Sequence, residues 1–78
     1  MNKEFEYRIG QRIRMFRELR GLTQEQLAAQ LQIRGCDITR SALAKIEVGQ
    51  RHIYPDELRH LKCLLAVPYE ELLDGEED

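Results

Sequence analysis

Apolar positions recur at helical spacing along most of the chain. Phe5, Ile9, Ile13 and Phe16 stand at i, i+4, i+8 and i+11 and make one stripe of a helix from about Lys3 to Leu19. Arg8, Arg12, Arg14, Arg17 and Arg20 occupy much of the remaining circumference, where arginines are ordinarily solvated. Gly21 is placed to end this helix in a left-handed conformation, after which Leu22 can turn back onto the core. Thr23 with Gln26 forms a T-x-x-Q capping box that opens a second helix, about Gln24 to Leu31. Leu27, Ala28 and Leu31 are its buried face, and Ile33 is expected to add a core contact just past its end. Arg34, Gly35, Cys36 and Asp37 break the pattern, with Gly35 the natural site for a positive φ.

Thr39 caps a third helix. On a 3.6-residue wheel Arg40, Ser41, Ala44 and Lys45 fall within about 140°, with Ala42, Leu43 and Ile46 on the opposite side. Ile38, just before the cap, is positioned to pack on Leu43 as a hydrophobic staple. Gly49 ends this helix, and GQRHIYP leads to Pro55, which suits the first turn of a fourth. Asp56 and Glu57 then sit at the positive end of the helix dipole, and Leu58, Leu61, Leu64 and Leu65 supply an apolar stripe. Pro68 interrupts it and opens a last turn or two, with Leu72 and Leu73 packing back; residues 75–78, GEED, form an acidic tail expected to fray. No segment alternates with the period of a strand. The pattern predicts one all-α domain of five helices over residues 1–78.

A chain of 78 residues buries only about 60% of its unfolded surface, so its stability margin is thin and self-association would help it. Apolar residues at 42% and charged residues at 33% suit a soluble globular domain. No apolar run approaches the roughly 18 residues of a membrane span, and MNKEFEYRIG lacks the apolar core of a signal peptide. The expectations are a cytoplasmic location, no membrane partner, and reduced thiols at Cys36 and Cys63. The net charge of −2 conceals a dipole: residues 1–52 carry ten Lys/Arg against six Asp/Glu, and residues 53–78 carry two against eight. The basic part suits a polyanion, and the acidic part belongs away from it.

Reactive groups are few. Cys36, Cys63, His52 and His60 are the candidates, and only His60 and Cys63 share a helix at i, i+3. Cys63 is expected to fill core space and no C-x-x-C pair exists, so no catalytic residue, metal, cofactor or small-molecule ligand is expected.

The run IGQRIRMFRELRGLTQEQLA, followed by LAKIEVGQR, an interrupted YPDEL and VPYEELL, resembles the phage-repressor and Cro-type helix-turn-helix domain, also described as xenobiotic-response-element-like. The resemblance spans roughly Ile9 to Leu73. It implies a compact five-helix lambda-repressor-like fold with its helix-turn-helix unit at about 23–48, the third helix in the major groove, and a homodimer on a palindrome. Around Leu64 to Leu73 is the pairing surface it favours. It places Gln24 on a DNA phosphate, makes Thr39 the recognition-helix cap, and puts Arg40, Ser41 and Lys45 at base edges. Arg17 and Glu47 match an internal ion pair tying the first helix to the third; a surface pair of this kind is worth about 0–1 kcal/mol and is structural, not a DNA contact. The turn from Gln32 to Ile38 exceeds the roughly 3–4 residues of a simple helix-turn-helix turn and resembles a longer-turn variant, with Arg34 either reaching a phosphate or standing in a solvated loop.

DNA binding requires groups that neutralise phosphates and groups that match base edges. For phosphates the sequence offers Gln24 with the N-terminal N–H groups of its helix, Gln50, Arg51, His52 and the more distant Arg34. For bases, Arg40 can donate two hydrogen bonds to guanine, Lys45 one, Ser41 is permissive, and Ala44 can pack on a thymine methyl. The expected function is sequence-specific binding of double-stranded DNA by a transcriptional regulator, with repression the simplest form. The rival is a protein-interaction module that keeps the fold without binding DNA, such as a component of a toxin–antitoxin or regulatory complex. The acidic total charge favours that rival, and Arg40 with Lys45 disfavours it.

Overall fold

The computed structural model describes residues 2–73, and the expected frayed tail at 75–78 lies outside them. Five helices follow in order: α1 (Lys3–Leu19), α2 (Gln24–Ile33), α3 (Arg40–Glu47), α4 (Pro55–Leu65) and α5 (Tyr69–Leu73). No strand occurs among the described residues. Helix α3 packs against both α1 and α2, α4 closes over α1 and α2, and α5 lies on α1.

Local chemistry sets the helix boundaries. Asn2 Oδ1 accepts the Phe5 N–H at 2.9 Å to cap α1. The Thr23–Gln26 capping box is reciprocal: Thr23 Oγ1 accepts the Gln26 N–H at 3.0 Å, and Gln26 Oε1 accepts the Thr23 N–H at 2.9 Å. Thr39 Oγ1 accepts the Ala42 N–H at 3.1 Å and opens α3. Tyr54 has no capping side chain, so Glu57 reaches back to accept its N–H at 3.1 Å. The C-terminal ends of α1, α2 and α3 share one device. Gly21, Gly35 and Gly49 each donate to the carbonyl three residues back, and Leu22, Cys36 and Gln50 each donate five residues back, at 2.8 to 3.1 Å. Helix α4 ends differently, on Ala66 at φ 59. Arg20 covers that end by donating to Leu65 O at 2.7 Å and Ala66 O at 3.2 Å.

The core joins Ile9, Ile13 and Phe16 of α1 to Leu27 and Leu31, Ile38, Leu43 and Ile46, Leu61 and Leu65, Val67 and Leu72. Ile38 and Leu43 are both fully buried, as a staple requires. Two expectations fail for one geometric reason. Helix α2 continues past Leu31 to Ile33, and at about 100° per residue this carries Ile33 to the side opposite the buried stripe. Ile33 is 85% exposed, and Cys36 and Ile38 take the core positions beyond the turn. Cys63 likewise lies about 200° round α4 from Leu61, so it is exposed, and Cys36 is the buried thiol. At the free end of the α1 stripe, Phe5 is only partly covered.

Gly10 lies in the middle of α1, a position where glycine ordinarily weakens a helix. Its value is close approach: a Cβ here would strike the Ile46 carbonyl oxygen and the Glu47 backbone of α3. These neighbours are rigid main chain, so a methyl group must push α1 and α3 apart. Gly10→Ala is expected to cost about 1–3 kcal/mol of unfolding free energy despite its better helix propensity, measured by urea denaturation. An unchanged midpoint would show that the two helices can separate freely.

Candidate nucleic-acid interface

The α2–turn–α3 unit is held from beneath by a buried polar cluster. Arg17 of α1 donates from Nε to Glu47 Oε2 at 2.7 Å and from Nη2 to Glu47 Oε1 at 3.1 Å. Its Nη1 donates to Leu22 O at 2.8 Å. Gln24, the first residue of α2, donates from Nε2 to Glu47 Oε1 at 3.0 Å, and Gln11 donates to the Glu47 carbonyl at 2.8 Å. Arg17 is 7% exposed and Glu47 1%, so the expectation of a weak surface pair is corrected. A desolvated charge pair persists only when its remaining donors and lone pairs are matched, and here Leu22, Gln24 and the two-pronged contact match them. The cluster ties the last turn of α1, the first turn of α2 and the last turn of α3 together.

That anchoring fixes the outer face of α3. Arg40, Ser41 and Lys45 are exposed, Ala44 is half-buried, and the four share the side opposite Leu43 and Ile46. Beside them, Arg40 lines a polar notch of about 540 Å³ with Thr23, Gln24 and Glu25 at the start of α2 and Arg17 and Glu18 of α1. The remaining cations of the basic segment are largely occupied. Arg12 bonds the Glu71 carbonyl and lies 3.0 Å from its carboxylate, Arg14 pairs with Glu18, and Arg20 caps α4. Arg40 and Lys45 take part in none of these contacts.

The other candidates are placed as follows. The long connection runs from Arg34 to Thr39 and lies on α4: Arg34 Nε donates to His60 Nδ1 at 3.0 Å, and Gln32 Nε2 donates to Ile38 O at 2.9 Å. Cys36 is buried there, and that burial, with the nearby carboxylates of Glu57 and Asp56, pushes its thiol pKa up. In the loop after α3, Arg51 forms a two-pronged pair with Glu57, both contacts at 3.0 Å, and donates to His52 O at 2.8 Å. His52 Nδ1 lies 2.9 Å from Glu6 of α1, while Gln50 is exposed. Sequence reasoning missed Gln11, Arg20 and Glu57 as the partners that set this framework. Only the glutamate had a local signal, three residues after Tyr54 at a helix start. Among the described residues, no three His, Cys, Asp or Glu side chains group to hold a metal, and no helix is long and apolar enough to cross a membrane.

A family model described as a helix-turn-helix domain matches residues 10–78. The chain belongs to this helix-turn-helix family. Comparison with curated proteins and with solved structures found no match. The matched span takes in the α2–turn–α3 unit together with the helices that brace it, so the family likeness extends to the framework that carries the exposed face.

Two outcomes follow for this helix-turn-helix domain. Glu47→Ala leaves the Arg17 charge buried without a partner and is expected to cost about 3–5 kcal/mol by urea denaturation, whereas Arg17→Met with Glu47→Leu recovers at least about half of that loss. Equal losses in both variants would deny the ion pair its desolvation cost. The Arg51 hydrogen bonds hold the Glu57 carboxyl below its ordinary 4.5. A depressed folded-state value means that the pair's contribution is complete above that ordinary value and is lost as pH falls through the lower one. Thermal unfolding of Glu57→Gln should therefore show a shallower acid limb than the wild type, and superimposable limbs would remove Glu57 from acid sensitivity.

Proposed function

We propose that this domain is a sequence-specific DNA-binding transcriptional regulator of the phage-repressor/Cro type in its longer-turn form, repressing from a palindromic operator as a homodimer with α3 in the major groove. One observation supports the reading: Arg40 and Lys45 stand exposed on one helix face and enter none of the internal pairs that hold Arg12, Arg14, Arg17, Arg20, Arg34 and Arg51. A folded chain with a net charge of −2 thus keeps unspent cations where a groove-entering helix needs them.

In this reading Arg40 donates to guanine O6 and N7, Lys45 to guanine or a phosphate, Ser41 is permissive, and Ala44 packs on a thymine methyl. Gln24 spends one amide N–H on Glu47 and turns the other toward a phosphate beside the N-terminus of α2. Gln50 and His52 contact the backbone from the loop. Arg51 retains its Nε–H and one Nη2–H for a phosphate while Glu57 fixes its guanidinium. Arg34 has only its Nη groups to offer, since its Nε serves His60.

Titration against specific and random duplexes over a range of salt tests the assignment. Arg40→Ala is expected to reduce the preference for the operator by about 1–3 kcal/mol, roughly 5- to 150-fold, while leaving random-duplex affinity nearly unchanged. Arg51→Ala is expected to weaken both equally and to lower the salt slope by about 1. Wild-type operator affinity in Arg40→Ala would refute the reading face. Absence of any salt-dependent binding by the wild type would instead support an interaction module.

A further inference from the structure

Lys3 and Glu6 of α1 line an open polar cleft together with Arg51, His52 and Tyr54 of the loop after α3. Across it, His52 Nδ1 lies 2.9 Å from Glu6 Oε1 and 3.1 Å from Oε2. The glutamate side chain is 10% exposed and the imidazole 52%, so the carboxylate lies beneath and the ring reaches solvent. Arg51 holds the same residue by its main chain, donating to His52 O at 2.8 Å. We infer that Glu6 locks the hydrogen of the neutral His52 ring onto Nδ1, so that a phosphate contact by His52 forms only with uptake of a second proton at Nε2 and makes duplex binding pH-dependent. The inference deepens the proposed function: it rests on that reading for the phosphate, and on the Glu6 contact alone for the lock.

The lock follows from what each group can donate. A carboxylate only accepts, so Nδ1 carries the hydrogen in the Glu6 contact. A neutral imidazole has a single N–H, which leaves Nε2 as a bare lone pair. Nε2 stands on the other side of the ring from the glutamate, and among the described residues it bonds to no protein group. A lone pair turned toward a phosphate oxygen repels it. The imidazolium donates at both nitrogens, to Glu6 from Nδ1 and to a phosphate from Nε2, and its charge then lies between two anions. His60 is the internal contrast: its Nδ1 accepts from Arg34 Nε at 3.0 Å, which puts the hydrogen of its neutral ring on Nε2. The two histidines of the chain are thus set to opposite tautomers, one by a carboxylate and one by a guanidinium.

The charged groups around the ring set the sign. Glu6 favours the imidazolium, while Lys3 and Arg51 oppose it, the latter with its charge matched by Glu57 of α4; the phenol of Tyr54 completes the lining. A phosphate in the cleft adds a second anion beside the ring. By linkage, a proton that strengthens phosphate binding is itself held more tightly once the phosphate is bound. Affinity is therefore highest at low pH and falls as pH rises through the imidazole range, by at most about tenfold per pH unit for one proton. Because phosphates carry no sequence information, the fall is the same on operator and random duplexes.

Two measurements on the full chain test the inference. Long-range proton–nitrogen NMR of the free protein at about pH 8.5, above the imidazole range, reads which nitrogen of each ring carries the hydrogen: Nδ1 is expected at His52 and Nε2 at His60. A hydrogen on Nε2 of His52 overturns the lock. Titration of a random duplex at fixed ionic strength then follows affinity from about pH 6 to about pH 8, where the wild type is expected to weaken at least about threefold. His52→Gln is expected to abolish that fall. Glu6→Gln, which keeps the ring and removes the carboxylate, is expected to reduce it, because the neutral ring is then free to carry its hydrogen on Nε2. Thermal unfolding of each variant reports that it remains folded. Duplex binding that does not change with pH, or a His52→Gln profile like that of the wild type, overturns the coupling and leaves DNA binding standing. Absence of duplex binding at every pH overturns the proposed function and the coupling with it, while the position of the ring hydrogen still decides the lock.

Discussion

The buried contact between Arg17 and Glu47 is the constraint on which the rest of the domain depends. Three helices meet at that carboxylate, and each reaches it from a terminal turn: α1 through Arg17, α2 through Gln24, and α3 through Glu47 itself. Terminal turns are where helices fray and where backbone groups lack partners. Fastening three of them to one desolvated charge pair converts the least stable parts of the helices into a junction. The junction is directional, because a two-pronged guanidinium–carboxylate contact tolerates little rotation. Moving α3 about its axis would strip Arg17 of a partner in a buried setting, so the outward direction of Arg40 and Lys45 follows from an interaction at the C-terminal end of the helix.

The same economy governs the other cations. Arg20 covers the exposed carbonyls of α4, Arg12 ties α1 to α5, Arg51 clasps α4 to the loop, and Arg34 meets α4 from the long turn. A domain of this size buries too little apolar area to hold five short helices by packing alone. Charge-assisted hydrogen bonds to main-chain carbonyls and carboxylates supplement it at the helix ends. One consequence is that the basic character of the first two-thirds of the chain overstates the charge left for a partner. The usable positive surface is narrower than composition implies: in the basic segment Arg40 and Lys45 on α3 and Lys3 and Arg8 on α1 are left outside the internal pairs.

The long connection between α2 and α3 has a structural explanation. Two residues of the expected turn belong to α2, and what remains meets α4 through Arg34 and His60 and is closed on itself by the Gln32 contact to Ile38. The extra length lets the chain reach a core position with Cys36 before Ile38 and Thr39 start α3. Ile38 and Leu43 are then both buried in the one core, on either side of the Thr39 cap.

Much of this was legible in the sequence, because local chemistry acts over three to five residues and is written there in order. The T-x-x-Q box, Thr39, the glycines after α1, α2 and α3, and Pro55 determined where helices begin and end, and the apolar spacing determined which faces turn inward. Ile33 and Cys63 show the limit of that reading: each is apolar, yet Ile33 is turned outward because α2 runs past its expected end, and Cys63 because it lies about 200° round α4 from Leu61. What only the tertiary structure decided concerns groups far apart in the chain. The sequence offers ten cations before residue 53 and no means of telling which are spent, since Arg17 finds Glu47 thirty residues away and Arg20 finds Leu65 forty-five residues away. Gly10 is a mid-helix weakness until α3 is seen lying against it. The identity of the outward face was local, but its fixed direction and its unshared charge came from long-range pairing, because burial makes a charge seek a partner wherever the fold can supply one.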